Sequence, residues 1–172
     1  MDGAMTVEID TTDQEDSHPR VKELSELLDA VQQLSNTRCS DELYGVFADI
    51  LSRKVGADAI AVFNFNQEID SFSLDYNHGF SAWKNELKSG DGFLSRLRQN
   101  GFQPMEAIHD IPEVKSFFSE KKPKNLKSVT WALLNIKETI IGLVALNRSF
   151  DEISKNEFCL DFLKRICLHA AV

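Results

Sequence analysis

Apolar residues recur every three or four positions near both ends of the chain, which predicts amphipathic helices there. The first stripe spans residues 21–34, the second 43–55 and the third 158–170. Ser40 is expected to cap the second helix and Gly56 to end it. Ser154 is expected to cap the third helix. The narrow first stripe suits either pairing with another helix or ordinary packing on its own domain.

Four segments between these helices have the composition of β-strands. Residues 59–66 are β-prone and apolar on both faces, and residues 71–77 alternate between apolar and polar side chains. Residues 128–136 and 139–147 are strongly apolar and are joined by Lys137 and Glu138, which predicts an antiparallel hairpin. Gly142 in the second of these strands permits a close approach by another element.

The segment from residue 78 to 127 differs from the rest in composition. It is rich in Gly, Lys, Ser and Asn, holds three of the four prolines, and has only short periodic stretches. A strand that is apolar on both faces needs cover on both sides of its sheet. We therefore predict an α+β fold with an antiparallel sheet of about five to six strands, terminal helices on one face and this irregular, partly helical insertion on the other.

The N-terminal segment is acidic and nearly devoid of large apolar side chains. Residues 1–20 hold six acids and one base, so 21 acids and 18 bases remain elsewhere, and the rest of the chain is almost neutral. We expect a disordered leader over residues 1–19 and a single domain over 20–172. Because no Gly, Asn or Pro ends the last helix before Val172, we expect that helix to continue into a further domain.

Composition excludes several classes of protein. The chain has no run of eighteen apolar residues and no secretory signal pattern, so we expect a cytoplasmic protein without membrane partners. The three cysteines form no Cys-x-x-Cys pair, and the four histidines are scattered, which argues against a metal site. No clustered basic face is evident, so no nucleic-acid partner is expected. No nucleophile and base, and no phosphate-binding glycine motif, occur at catalytic spacing.

The order of these segments resembles that of a GAF domain, a small-molecule-sensing or dimerising module of signalling proteins. The likeness covers nearly everything after the acidic leader. It is carried by residues 43–58 with the strand that follows, by the glycine turn at 89–94, by 100–104 with 108–110, by the hairpin ending at 141–147, and by 153–158.

The resemblance implies a regulatory role but leaves the cofactor unknown. Asn147, Arg148 and residues 150–152 are similar to a signature of cyclic-nucleotide-binding members, although Arg replaces Lys and the spacing differs. Residues 110–112 are similar to the Asp-Ile-Pro segment of bilin-binding members, but no cysteine lies between Cys39 and Cys159 for covalent attachment. The same gap argues against reduction of free methionine sulfoxide. Haem would need an axial ligand such as His78 or His109.

Aromatic side chains of the insertion are expected either to line a pocket against the sheet or to fill that space themselves. The candidate ligand-binding residues are Tyr76, His78, Trp83, Phe93, His109, Asp110 and Trp131. Trp131 is expected to share its sheet face with Val129 and Leu133.

We interpret the chain as a non-enzymatic sensory module. It is expected to form homodimers through the helices from Leu24 to Leu34 and from Phe158 to Ala170. The alternatives are a ligand-free dimerisation or interaction domain and a small stand-alone enzyme.

Overall fold

A computed structural model of the chain describes residues 17–80, 84–88, 95–96, 99, 104–107 and 128–171. The helices are α1 (Ser17–Ser35), α2 (Ser40–Val55), α3 (Phe150–Ser154) and α4 (Glu157–Ala170). The strands are β1 (Ile60–Asn66), β2 (Ser71–His78), β3 (Glu86–Lys88), β4 (Met105–Ala107), β5 (Val129–Ile136) and β6 (Thr139–Leu146). Most of the predicted insertion, including its expected place over the sheet, lies outside the described residues.

The described strands form one sheet in the order β3-β2-β1-β6-β5-β4, and every pair is antiparallel. The four central strands have seven or eight residues each, whereas β3 and β4 have three. The predicted α+β class and antiparallel sheet are confirmed. The sequence predicted about five to six strands. Four of the described strands are long, and the two at the edges of the sheet are short.

One face of the sheet is covered by α1, α2 and α4. Their buried side chains pack on alternate residues of the central strands, and we call this cluster the helix-side core. Its largest fully buried members include Phe47, Leu51 and Phe162. The apolar stripes of α2 and α4 face inward as their spacing predicted, since burying such a stripe is the main source of helix stability in a protein.

Helix ends agree with the prediction at α2 and differ at α4. Gly56 ends α2 in the left-handed conformation (φ 72°) and donates its N–H to Ser52 O, as expected of a C-terminal glycine. The prediction that Ser154 caps the last helix was wrong. Ser154 is the final residue of the short helix α3, and Asn156 caps α4 by accepting a hydrogen bond from the Cys159 N–H.

The starts of α1 and α2 differ slightly from the sequence pattern. Helix α1 begins at Ser17, ahead of the boundary expected at residue 20, and Pro19 lies in its first turn, where no intrahelical N–H partner is needed. Ser40 is the first residue of α2 and Cys39 occupies the cap position, so the expected cap was one residue late.

Within the described part of the chain, no helix is both long and apolar enough to span a membrane.

Candidate functional site

The sheet has a second buried apolar face, on the side opposite the helices. We call it the Trp131 face. None of its members belongs to α1, α2 or α4, and the largest are aromatic. The buried residues of this face are Ala59, Ala61, Phe63, Phe72, Phe80, Val129, Trp131, Leu133, Ile140, Leu143 and Ala145. This face is where the sequence placed a ligand chamber.

Trp131 lies on β5, next to the edge strand β4, and is fully buried. Its ring centroid is 6.3 Å from that of Phe63 on β1, in a tilted arrangement that is favourable for aromatic pairs. On the other side, Met105 of β4 is paired with Trp131 in the strand register. Val129 and Leu133 share the face, as predicted from the alternation along β5.

A bulge in β2 reverses the direction of its side chains. Phe63 of β1 is paired with Leu74, but the preceding Val62 is paired with Tyr76, so Asp75 is an extra residue in β2. An extra residue shifts the alternation of all following side chains by one position. Leu74 therefore packs on the Trp131 face, whereas Tyr76 packs against the helix-side core.

Tyr76 and His78 consequently do not line a common chamber with Trp131, which corrects their assignment to one site. The Tyr76 ring lies 6.5 Å from the ring of Tyr44 on α2. His78 is exposed and is paired with Ile60, whose side chain belongs to the helix-side core. Cross-strand partners point to the same side of a sheet, so His78 is also on the helix side.

The other four candidates, Trp83, Phe93, His109 and Asp110, lie outside the described residues. Of the predicted set, the structure therefore assigns Trp131 alone to the face opposite the helices. The sequence analysis did not single out Phe63, Phe72 and Phe80, which share this face. The continuous apolar run from Ala59 to Phe63, which gives this strand two apolar faces, was the signal for Phe63.

Burial raises the pKa of three side chains among the described residues, those of Tyr44, Cys159 and Cys167. The Tyr44 hydroxyl donates to Asp75 Oδ2 over 3.4 Å, and its pKa is raised, mainly by burial and then by the nearby carboxylate. Burial raises the pKa of the Cys167 thiol to about 12, so the thiol is protonated at neutral pH. Burial also raises the pKa of Cys159, and the nearby Arg148 partly opposes this effect. Among the described residues, no cluster of His, Cys, Asp and Glu could hold a metal ion.

A second feature is an open groove of about 710 Å³ between α1 and α4. Its lining combines apolar side chains with charged side chains of both signs. The groove is lined by Pro19, Arg20, Glu23, Leu24, Leu27, Glu157, Phe158, Asp161, Phe162 and Arg165.

Next to this groove, α1 has a second apolar stripe that does not reach the core. Val21, Leu24 and Leu28 are each about 60% exposed, and they lie at i, i+3 and i+7 on one side of the helix. On α4, Leu168 is 50% exposed. The sequence pattern treated the apolar residues of α1 as one stripe, but the structure divides them into a buried side and an open side.

The described fold matches known structures closely enough to define its class. A GAF domain of a phosphoenolpyruvate-protein phosphotransferase from Coxiella burnetii has a TM-score of 0.65 at 15% identity, covering 88% of this chain and 91% of that chain. The corresponding domain from Acinetobacter has a TM-score of 0.64 at 11% identity, covering 87% and 90%. The free methionine-R-sulfoxide reductase from Neisseria meningitidis, solved with its substrate, has a TM-score of 0.62 at 12% identity, covering 89% and 88%.

The chain therefore has the GAF-domain fold, as the order of its segments predicted. No protein-family model matches the sequence, and no curated protein sequence matches it. A GAF domain of a phosphotransferase and a free methionine-R-sulfoxide reductase both have this fold, so the fold by itself does not decide the function.

Proposed function

We propose that this chain is a non-enzymatic regulatory module of a cytoplasmic signalling protein that binds a small molecule at the Trp131 face and dimerises through α1 and α4. The observation that carries the proposal is the division of the sheet into two apolar faces. The terminal helices pack on one face, and the aromatic face around Trp131 is separate from them. A sheet face rich in aromatic side chains suits an apolar or flat ligand.

The positions of the cysteines favour regulation over thiol chemistry. Cys159 and Cys167 belong to α4 and pack with the helix-side core, and Cys39 lies just before α2. No cysteine of the chain therefore lies on the face that holds Trp131. A protonated thiol such as that of Cys167 is also a poor nucleophile.

Ligand binding can be tested by thermal unfolding in the presence of cyclic nucleotides, biliverdin, haem and small metabolites. A ligand at about 100 times its Kd adds about 2.7 kcal/mol to the free energy of unfolding. For a chain of this size that corresponds to a rise in Tm of about 5–10 °C. The matched variant Trp131→Leu should reduce this rise while changing no residue of the helices.

The competing interpretation is a ligand-free interaction domain, and the complete burial of Trp131, Phe63 and Phe72 favours it. In that case no compound would raise the Tm of the wild-type chain. A compound that raised it equally in the Trp131→Leu variant would bind elsewhere and would contradict the proposed site.

Dimerisation through the terminal helices is supported by the open apolar stripe on α1 and the groove beside it. Replacing both Leu24 and Leu28 by Glu should raise the dimer dissociation constant by about 100-fold or more, because apolar anchors at an interface carry much of its binding energy. Sedimentation velocity over a range of concentrations measures the change. The free energy of unfolding of the monomer should stay nearly constant, since both side chains are exposed.

Ile69 provides the matched control for this experiment. It is 59% exposed, like the two leucines, but it lies in the turn between β1 and β2. Ile69→Glu should leave the dissociation constant unchanged. A wild-type chain that sediments as a monomer at high micromolar concentration would contradict the proposed dimer.

A further inference from the structure

Arg148 lies in the loop between β6 and α3 and bonds to three parts of the fold. Its Nη1 donates to the carbonyl oxygen of Val55, the last residue of α2. Its Nε lies 3.4 Å from Glu152 Oε2 on α3. Its own carbonyl oxygen accepts a hydrogen bond from Thr130 Oγ1 on β5, over 2.7 Å.

The side chain of Arg148 donates a hydrogen bond to a carbonyl group at the C-terminal end of α2. The last carbonyl groups of a helix have no intrahelical partner and carry the negative end of the helix dipole, so they favour a cation. Gly56 gives the guanidinium room, because a Cβ at that position would overlap Arg148 Nη1. The preceding carbonyl, Lys54 O, accepts from Cys159 Sγ of α4 over 3.4 Å. The end of α2 is thus bonded both to Arg148 and to α4.

Thr130 connects this arrangement to the opposite side of the sheet. It is fully buried and polar, and its neighbours Val129 and Trp131 point to the Trp131 face while its own hydroxyl bonds to Arg148. Thr130 is also paired with Leu146 of β6, so its hydroxyl is a second link, besides the strand pairing, through which a shift of β5 would reach Arg148. Helix α4 begins nine residues after Arg148, following the short helix α3.

Three buried polar atoms in or next to this loop have no hydrogen-bond partner among the residues that the structure describes. They are Ser128 Oγ, next to the start of β5, Asn147 Oδ1, and Arg148 Nε, whose contact with Glu152 is an ion pair and not a hydrogen bond. An unpaired buried polar atom is costly, so this loop has hydrogen-bonding capacity that its present arrangement does not use.

We propose that Arg148 is a joint through which β5 controls how α4 is held against α2. The proposed regulatory function needs a structural link between the Trp131 face, where the ligand would bind, and the terminal helix α4. Arg148 provides this link. It rests on the proposed function only for its biological use, since the coupling itself is a property of the chain without ligand. Asn147 and Arg148 resemble part of a cyclic-nucleotide signature. In this interpretation they hold the fold together instead of contacting a nucleotide.

Amide hydrogen exchange on the full chain tests the joint. Arg148→Met should speed exchange of the α4 amides by about tenfold, the size expected for loss of a hydrogen bond to a charged group. The β6 amides report global opening, and α4 must change more than they do. The matched control is Arg53→Met, which removes an arginine from the last turn of the same helix α2. Equal exchange of α4 in the two variants would overturn the proposal.

The coupling to the sheet is measured by a second pair of variants, which also keeps the test valid if Arg148→Met does not fold. Val129→Ala perturbs the Trp131 face, and Thr130→Val removes only the hydroxyl that bonds to Arg148. Val129→Ala should speed α4 exchange, relative to β6, in the wild-type background and should have little such effect in the Thr130→Val background. The same effect in both backgrounds would overturn the joint. Absence of any small-molecule ligand would count against the proposed function but not against this result.

Discussion

Replacing Trp131 with alanine is expected to lower the free energy of unfolding by about 3–5 kcal/mol, the usual cost of removing a large aromatic side chain from a core. Trp131 is fully buried, and its ring packs against Phe63. Deleting it removes the packing against the Phe63 ring and leaves a cavity that a sheet cannot close, because the strand spacing is fixed by hydrogen bonds. Such a loss is a large part of the total stability of a domain of this size.

Urea unfolding followed by circular dichroism measures this change. The transition midpoint should fall while the slope with urea stays constant, since the folded and unfolded states keep their overall surface areas. Trp131→Phe is the control, and it should cost clearly less because most of the ring volume remains. A loss below about 1 kcal/mol for alanine would mean that the space around Trp131 collapses or is already loosely filled, which is contrary to its complete burial.

The helix-side core could be predicted from sequence because each of its elements has a strong local pattern. The apolar spacing of α2 and the position of Gly56 agree with the structure to within one residue. The hairpin of β5 and β6 follows from two apolar runs around a two-residue turn. In these elements the secondary structure that the local sequence prefers is also the one that packs best in the fold. The sequence pattern is therefore sufficient to predict it.

The candidate site was harder to predict because a single bulge changes which side chains share a face. Strict alternation along β2 would place Phe72, Leu74, Tyr76 and His78 together. The extra residue Asp75 sends the last two to the helix side, where Tyr76 meets Tyr44. The sequence around Asp75 gives no distinctive signal for a bulge, since the pairing that creates it is with β1, ten or more residues away.

The two sides of α1 show a second reason why the structure could not be predicted fully from the sequence. Helical spacing alone put Leu24 and Leu34 on one stripe, yet Leu34 is buried and Leu24 is largely exposed. Which part of this stripe is covered depends on where α2 and α4 cross α1, and that is set by tertiary packing. The groove beside Leu24 follows from the same crossing and therefore could not be foreseen from the spacing.

Gly142→Ala is expected to lower the free energy of unfolding by about 1–3 kcal/mol, and Gly142→Val by more. Gly142 lies in the central strand β6, between Asn64 on β1 and Leu134 on β5. A Cβ there would be 2.6 Å from the backbone oxygen of Phe63 and 3.2 Å from Leu134 Cδ1. Since the nearer atom belongs to the backbone of a paired strand, relief requires the two strands to separate, which weakens their hydrogen bonds.

The same substitution in α2 provides a control of opposite sign, because the effect of adding a methyl group depends on what surrounds it. A Cβ at Gly45 would meet no heavy atom within 4 Å. Gly45→Ala should therefore raise the free energy of unfolding by up to about 1 kcal/mol, the difference in helix propensity between the two residues. Urea unfolding of both variants measures the contrast. If both alanines stabilised the chain, β1 and β6 would have to be farther apart at Gly142 than the structure shows.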